Sequence, residues 1–304
     1  MSLLTVGTVA FDTIETSFGI AERVVGGSCT YVSMAASYFK NDINLCAVVG
    51  DDFPKSELDY FKSRGINLEG LEIKKGEKSF FWHGRYHKDM NARDTLITDL
   101  NVLADFNPQL PESYKTSDFV MLGNLTPDVQ MSIINQMTKR PKLIALDTMN
   151  FWMDIALKSL LKVIKKVQVL IINDEEARQL SEEHSLRKAA TKILTMGPKY
   201  LIIKKGEHGA MLFHKTDVFY VPALPLEEVY DPTGAGDTFA GGFMGYIAST
   251  GKPTFENMKR AIIYGSALAS FCVEKFSTEG LKNLTDEQIK GRVAQFTKMV
   301  KVKM

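Results

Sequence analysis

The sequence predicts an α/β fold with a mostly parallel central sheet and a smaller β-sheet set apart from it. Three observations carry that expectation. From residue 118 onward, short apolar runs alternate with longer amphipathic stretches, the rhythm of parallel strands joined by right-handed helical crossovers. Residues 66–98 break that rhythm: Ser79 to Tyr86 is aromatic and alternates with the two-residue period of a strand. Near the C-terminus, Asp231-Pro232-Thr233-Gly234-Ala235-Gly236 forms a loop that runs into an apolar segment with helical spacing (Phe239, Phe243, Tyr246, Ile247).

A chain of 304 residues with 45% apolar content can bury a large core, and a single domain over residues 1–304 is expected. No internal repeat, low-complexity tract or linker interrupts it. The formal charge of +1 gives no electrostatic reason to expect nucleic acid or an acidic membrane surface. Cys29, Cys46 and Cys272 are an odd, sparse set without metal spacing, which suits a reducing compartment. Asp12 interrupts the first apolar run, no basic leader precedes it, and no segment approaches a membrane span. The expectation is a cytoplasmic protein.

In chain order, Leu3 to Ala10 reads as a buried strand, with Asp12 just past its carboxyl end, where open α/β sheets bind ligands. A carboxylate there can accept hydrogen bonds from two neighbouring hydroxyls; the plainer alternative is a turn aspartate. Residues 13–25 alternate loosely around Gly19 and suggest a hairpin. Gly26-Gly27-Ser28-Cys29-Thr30-Tyr31 leads into a helix from Val32 to Phe39, and paired glycines let a ligand approach the backbone closely. Ile43 to Val49 is a second strand.

Arg93 to Thr98 reads as a partner for Ser79–Tyr86 across the loop Asp89-Met90-Asn91, and with the 13–25 hairpin these form the small sheet. Alternation puts Phe81 and Trp82 on opposite faces, so one of the two at most faces a ligand. Aromatic residues in such a sheet serve its own packing or a dimer contact more often than a ligand. Further strands are expected at Asp118–Leu122, Lys142–Asp147, Val167–Ile172 and Tyr200–Lys204, with helices at about 127–139, 153–165 and 174–195. Polar groups gather at the strand ends: Asn124, Asp147 with Asn150, and Asn173 to Glu176. Strands at 209–214 and 217–221 and helices at 236–249, 254–273 and 285–299 complete the chain.

The loop at 231–236 is the most informative stretch. Small residues ahead of a helix leave backbone N–H groups uncovered, and a first helical turn has N–H groups without internal partners. With the helix dipole, they form a pocket for a phosphate or a developing negative charge. Asp237 beside that pocket would repel an anion unless it has a proton to collect, and taking the proton of an attacking hydroxyl is such a task. The bland alternative is a glycine turn with Asp237 as a helix cap.

The run Asp231-x-Thr-Gly-Ala-Gly-Asp-Thr-Phe resembles the C-terminal signature of the ribokinase-like (PfkB) family of carbohydrate and nucleoside kinases. The resemblance implies a three-layer sandwich with a β-sheet lid inserted twice, at about 13–25 and 70–98. It implies Asp237 as general base and the N–H groups of Gly234, Ala235 and Gly236 as an anion hole. ATP and Mg²⁺ are the implied cofactors. Gly7 and Asp12 follow the family's opening spacing. On the substrate it would place Asp12, the Gly26-Gly27 backbone, Tyr31 near the position of a usual Asn, and Asn150 and Arg93. Asn173 and Glu176 match its Asn-x-x-Glu, with Glu176 reaching Mg²⁺ through water. Lys204, Gly206 and Gly209 match the nucleotide turn, although Lys204 stands where Thr is usual. Ser277 to Gly280 resembles the loop beside the adenine, and Asp231 lies where members can bind a monovalent cation, K⁺. The lid is also a surface through which two copies can pair as a homodimer.

Arg93, Asn91 and Asn150 tilt the expected acceptor towards a sugar or sugar-like polyol. The alternative is a nucleoside, because Gly-Gly-Ser-x-Thr-Tyr resembles the family's archaeal nucleoside and inositol kinases, and Phe81, Trp82, Tyr86 and Tyr31 supply aromatic surface. A non-catalytic sugar-binding or regulatory protein is disfavoured by the intact Asp237. The sequence has no Gly-x-x-x-x-Gly-Lys-Ser/Thr loop, no protein-kinase His-Arg-Asp motif and no Gly-x-Gly-x-x-Gly after the first strand.

Overall fold

The structure, a computed structural model, describes residues 1–39 and 42–301. The chain opens with strand β1 (Ser2–Val6), then β2 (Ala10–Thr16), β3 (Gly19–Gly26) and helix α1 (Ser28–Ser37). Next come β4 (Asp42–Gly50), α2 (Lys55–Ser63), β5 (Ile66–Lys74), β6 (Phe80–Tyr86) and β7 (Arg93–Asp99). The alternating part follows as β8 (Phe119–Leu122), α3 (Pro127–Gln136), β9 (Leu143–Asp147), α4 (Asn150–Ile155), α5 (Leu157–Ile164) and β10 (Val169–Asn173). It continues through α6 (Asp174–Ser181), α7 (Leu186–Leu194), β11 (Tyr200–Lys204), β12 (Ala210–His214) and β13 (Asp217–Val221). Three helices end the chain: α8 (Ala235–Thr250), α9 (Phe255–Cys272) and α10 (Asp286–Met299).

Nine strands form one sheet in the order β13-β12-β11-β10-β9-β8-β1-β4-β5. It is parallel from β11 to β5, and only the β11–β12 and β12–β13 pairs are antiparallel. Its strands read as continuous apolar runs because both faces are covered. Leu3 and Thr5 face one layer of helices and Leu4 and Val6 the other, as the two-residue period requires. One core lies under α1, α2, α8, α9 and α10, with Phe61, Phe243, Met258 and Phe296 in it. The other lies under α3 to α7, with Ile133, Leu160, Leu180 and Ile193. The three-layer sandwich is therefore present.

Four strands form the separate small sheet, in the order β3-β2-β6-β7. It is rooted on the large sheet by Asp52, which accepts hydrogen bonds from Ser79 N and Oγ at 2.8 and 2.7 Å and pairs with Arg23 at 2.6 Å. Phe11 packs against Phe53 with ring centroids 5.4 Å apart.

Three expectations change. Residues 66–74 belong to the edge of the large sheet, paired with β4, so the lid's second part begins only at Phe80. The first strand stops at Val6, and Ala10 already belongs to the lid, which puts Asp12 inside lid strand β2. The long helices expected at 153–165 and 174–195 are each two: Ala156 leaves helical geometry between α4 and α5, and Glu182 turns left-handed at φ 57° after α6.

Candidate active site

Helix α8 is rich in glycine because it is packed backbone-to-backbone. A methyl group on Gly241 would stand 2.3 Å from the Val32 carbonyl of α1, and one on Gly242 2.9 Å from the Cα of Gly265 in α9. This close packing fixes where the first turn of α8 points. Its N-cap, Gly234, is left-handed at φ 74°, and a side chain there would run into the Tyr31 ring at 2.4 Å. The Ala235 N–H, expected in the anion hole, donates to the Pro232 carbonyl at 3.2 Å and closes the turn. The N–H groups of Gly234, Gly236 and Asp237 have no protein acceptor among the described residues. Three open donors at a helix start form an anion-binding cradle.

Asp237 stands in the first turn of α8 beside that cradle. Burial pushes its carboxyl up to about 7 and the Asp147 charge adds to this, while Lys204 and Arg93 pull the other way. A carboxyl that ionises near neutral pH is matched to collecting a proton there. Asp12 is 4% exposed and is likewise pushed up to about 7, by burial first and then by Asp231; the Gly27 N–H opposes this by bonding to it. Gly26 must lack a side chain, because a Cβ would lie 1.9 Å from Asp12 Oδ2.

The register of the lid decides which aromatic residue shares the Asp12 face. Asp12 pairs with Trp82 across β2 and β6, so both side chains project the same way. Phe81 joins the large core instead. The indole lies over Gly84, where a Cβ would stand 2.0 Å from the ring, and its Nε1 donates to Thr95 Oγ1 at 3.2 Å. Tyr86, two residues beyond Gly84 on the same face, meets the glycine loop: its hydroxyl accepts from Thr233 Oγ1 at 3.2 Å. The inner face of the lid thus carries Asp12, Trp82, Gly84 and Tyr86 towards the loop.

Opposite the lid, the large sheet supplies the other wall. Asp147 ends β9, is 5% exposed, and pairs with Lys204 Nζ at 3.0 Å. Asn173 and Glu176 make a reciprocal cap of α6: Asn173 Oδ1 accepts from Glu176 N at 2.8 Å, and Glu176 Oε2 from Asn173 N at 2.7 Å. Burial raises the Glu176 carboxyl, with Lys204 opposing and Asp147 adding to the rise. The cap leaves its Oε1 free for another partner. Gly206 and Gly209 form the turn after β11, and the lid tip reaches it: Asn91 Nδ2 donates to Glu207 Oε1 at 3.4 Å.

Several sequence expectations fall elsewhere. Asn150 commits its amide to Gln179 of α6 and makes no hydrogen bond to Asp12. Arg93 pairs with Tyr86 across the lid, its guanidinium lies over the Trp82 ring at 5.8 Å from the centroid, and its charge lowers the carboxyls of Asp237 and Glu176. Tyr31 is 1% exposed beneath Gly234; its hydroxyl has no partner among the described residues. Ser277 is buried, its Oγ donating to the Val25 carbonyl at 2.5 Å and its N–H to Asp231 Oδ2 at 2.8 Å. Gly280 is packed against the Phe271 carbonyl. These contacts fasten the Ser277–Gly280 segment to Asp231, Val25 and α9. Asp231 spends its oxygens on the N–H groups of Thr233 and Ser277, so it is the clamp that joins the glycine loop to residue 277.

Sequence reasoning noted Asp147 without giving it a role, and it missed Thr95 and Gly84. The signal for Asp147 was available: a lysine ends the strand two positions along the sheet and needs a partner.

A family model described as pfkB family carbohydrate kinase matches residues 17–284. The chain is 27% identical to the cytidine kinase of Thermococcus kodakarensis, over 84% of this chain and 91% of that protein. It is 25% identical to the nucleoside kinase of Methanothermobacter thermautotrophicus, over 97% of this chain and 96% of that one. Among solved structures, an Escherichia coli protein described as a putative ribokinase II in complex with ATP and Mg²⁺ superposes with a TM-score of 0.79 at 18% identity, covering 97% of this chain and 99% of that one. The Burkholderia thailandensis nucleoside kinase in complex with inosine superposes with a TM-score of 0.74 at 19% identity, covering 97% and 98%. At these identities the structural likeness shows a shared fold.

Proposed function

The chain belongs to the pfkB family of carbohydrate kinases, phosphotransferases acting on hydroxyl groups, and from that premise we propose that it is an ATP-dependent nucleoside kinase. The observation that carries this reading is the pairing of Trp82 with Asp12 on one face of the lid. Asp12 would hold neighbouring ribose hydroxyls while the indole stacks on the base, a contact worth about 0.5–1.5 kcal/mol beyond area burial. Two of the donors that tilted the sequence towards a free sugar are turned to other partners, Asn150 to Gln179 and Asn91 to Glu207, and the third, Arg93, stands over the Trp82 ring at 5.8 Å from its centroid. Relatives named cytidine kinase and nucleoside kinase support the same choice.

In this mechanism Asp237 takes the proton of the acceptor hydroxyl as its oxygen attacks the γ-phosphorus of ATP. The N–H groups of Gly234, Gly236 and Asp237 stabilise the charge on the transferring phosphoryl oxygens. The Gly206–Gly209 turn and Asn173 border the nucleotide. Among the described residues no group of three or more His, Cys, Asp or Glu side chains is placed to hold a metal directly. That fits Mg²⁺, which keeps several waters and is held mainly through substrate phosphates. Glu176 would order its water shell through the free Oε1, and the metal would neutralise phosphate charge. Asp231 Oδ1 and Oδ2 each accept one backbone N–H, and a role for K⁺ there rests on the resemblance alone. The exposed edge strand β7, with Ile97 43% exposed, is the surface through which two copies would pair, a point sedimentation would settle.

The test is kcat/KM for cytidine, inosine and adenosine beside ribose, fructose and inositol, in wild type and Trp82→Ala. A nucleoside should exceed every free sugar by roughly a hundredfold, and Trp82→Ala should remove about tenfold of that margin. A free sugar outperforming all the nucleosides would overturn the assignment.

A further inference from the structure

Gly84 interrupts lid strand β6, yet its φ is not positive, so the backbone itself does not call for a glycine. Glycine inside a strand weakens it and marks a place where another group comes close to the main chain. Here that group is Trp82, two residues earlier on the same face. A Cβ on Gly84 would stand 2.0 Å from Cη2, 2.2 Å from Cζ2 and 2.9 Å from Cζ3 of the indole. Strand side chains ordinarily stand away from the sheet. This one lies down along β6, with its six-membered ring on the glycine. Gly84 is accordingly buried, while Trp82 keeps part of its surface open.

A second irregularity falls at the same point. His83 pairs with Ile97 of β7 but Gly84 with Thr95, so Leu96 is an extra residue, a bulge in the edge strand. An unbroken register would set Leu96 beside Gly84. The bulge sets Thr95 there instead, and its Oγ1 accepts the indole Nε1–H at 3.2 Å. The ring is thus held twice, by the missing side chain beneath it and by the hydroxyl beside it. Arg93 stands 5.8 Å from the ring centroid, near the outer limit of a cation–π contact, and does not pack closely on the ring.

We propose that Gly84 and Thr95 are positioning residues that lay the Trp82 indole flat as a fixed platform, and that they thereby set the preference for acceptors with a planar base over free sugars. The inference rests on the nucleoside-kinase reading and deepens it. That reading gives the base to the indole; this one gives the attitude of the indole to two neighbours that act through it. An upright indole offers its edge to the cleft, whereas a flat one offers the π face that offset stacking uses. Fixing the ring before the acceptor arrives also lowers the cost of ordering it on binding. A free sugar has no flat π face and gains less from either effect.

The chain has two tryptophans, Trp82 and Trp152, so Trp152→Phe leaves Trp82 as the single indole reporter. In that background, Gly84→Ala and Thr95→Val are compared without ligand by acrylamide quenching, and then by kcat/KM for cytidine, inosine and ribose. Both variants should leave the indole more quenchable in the free protein. Gly84→Ala should lower the nucleoside-to-ribose ratio of kcat/KM by about tenfold and Thr95→Val by about threefold. The loss should lie in the nucleoside KM, with kcat and the KM for ATP within about twofold of the background. Thr95→Ser keeps the acceptor oxygen and should restore both readouts, which a role in packing alone does not predict. Thr95→Val is nearly isosteric and carries the test if Gly84→Ala disrupts the lid. A background enzyme that prefers nucleosides while Thr95→Val keeps its ratio overturns this inference and leaves the kinase reading standing. A background enzyme that prefers ribose overturns both.

Discussion

At the phosphate end of the cleft, the charged groups stand on the ends of core strands and on the first turn of a closely packed helix. At the acceptor end they stand on a four-stranded sheet whose outer strand, β7, is exposed along its whole length. The first set is placed by the large core: Asp147 and Lys204 follow strands with no exposed residue, and Asp237 follows a helix locked against α1 and α9. The second set is placed by register within the lid, where Asp12 meets Trp82 because β2 and β6 run parallel. On the proposed function, chemistry therefore has a rigid support, and selectivity a thinner one. Substitutions at the phosphate end should cost rate, and those at the acceptor end should cost affinity or selectivity.

The strongest challenge to that division is Asp237→Asn. We predict a fall in kcat of about 10²–10⁴-fold with ATP and acceptor affinities nearly unchanged. Retention of more than about a tenth of wild-type kcat would remove Asp237 as the base. The same group sets the pH dependence. Its carboxyl must be ionised to accept the proton, and burial raises it to about 7, so turnover should be lost as pH falls through about 7. An acid limb centred near the ordinary carboxylate range would contradict this placement.

The acceptor end should respond differently. Asp12→Asn is expected to raise the acceptor KM by roughly tenfold or more, since a charge-assisted hydrogen bond to the diol is lost. It should also stabilise the free protein at alkaline pH. A buried carboxyl with a raised value favours the fold while protonated, and that contribution disappears as pH rises through about 7. The melting temperature of the variant should therefore exceed that of wild type by a few degrees at pH 8, with the gap closing towards pH 5. A gap that widens in acid would show the sign to be wrong.

Tyr31→Phe is the mildest case. The lost hydroxyl has no protein partner, so stability should stay within about 1 kcal/mol. If the hydroxyl serves the acceptor, KM should rise severalfold with kcat unchanged. Identical kinetics would leave Tyr31 as the support beneath Gly234 alone.

What the sequence disclosed follows the same division. The glycine loop was legible because its chemistry is local: cradle, cap and base occupy seven consecutive residues, Asp231 to Asp237. Asp12 was legible from the strand end it follows, although it proved to lie within a lid strand. Asn150 and Ser277 were not, because their partners, Gln179 and Asp231, lie 29 and 46 residues away. Alternation separated Phe81 from Trp82, but only the pairing with Asp12 says which of them faces the cleft. The division of 174–195 into α6 and α7 rests on one left-handed residue, Glu182, which no glycine announces.

The tip of the lid has a thermodynamic consequence. Asn91 reaches Glu207, and its side-chain oxygen lies 2.8 Å from where a Cβ on Gly206 would stand, so the sheet proposed to cover the acceptor also touches the turn proposed for the nucleotide. If either ligand biases the position of that sheet, linkage fixes the rest. The factor by which nucleotide tightens acceptor binding must equal the factor by which acceptor tightens nucleotide binding. Order of addition would then be a matter of rates, and any substrate synergy, or its absence, would be a property of residues 89–92 as much as of the groups that touch the substrates.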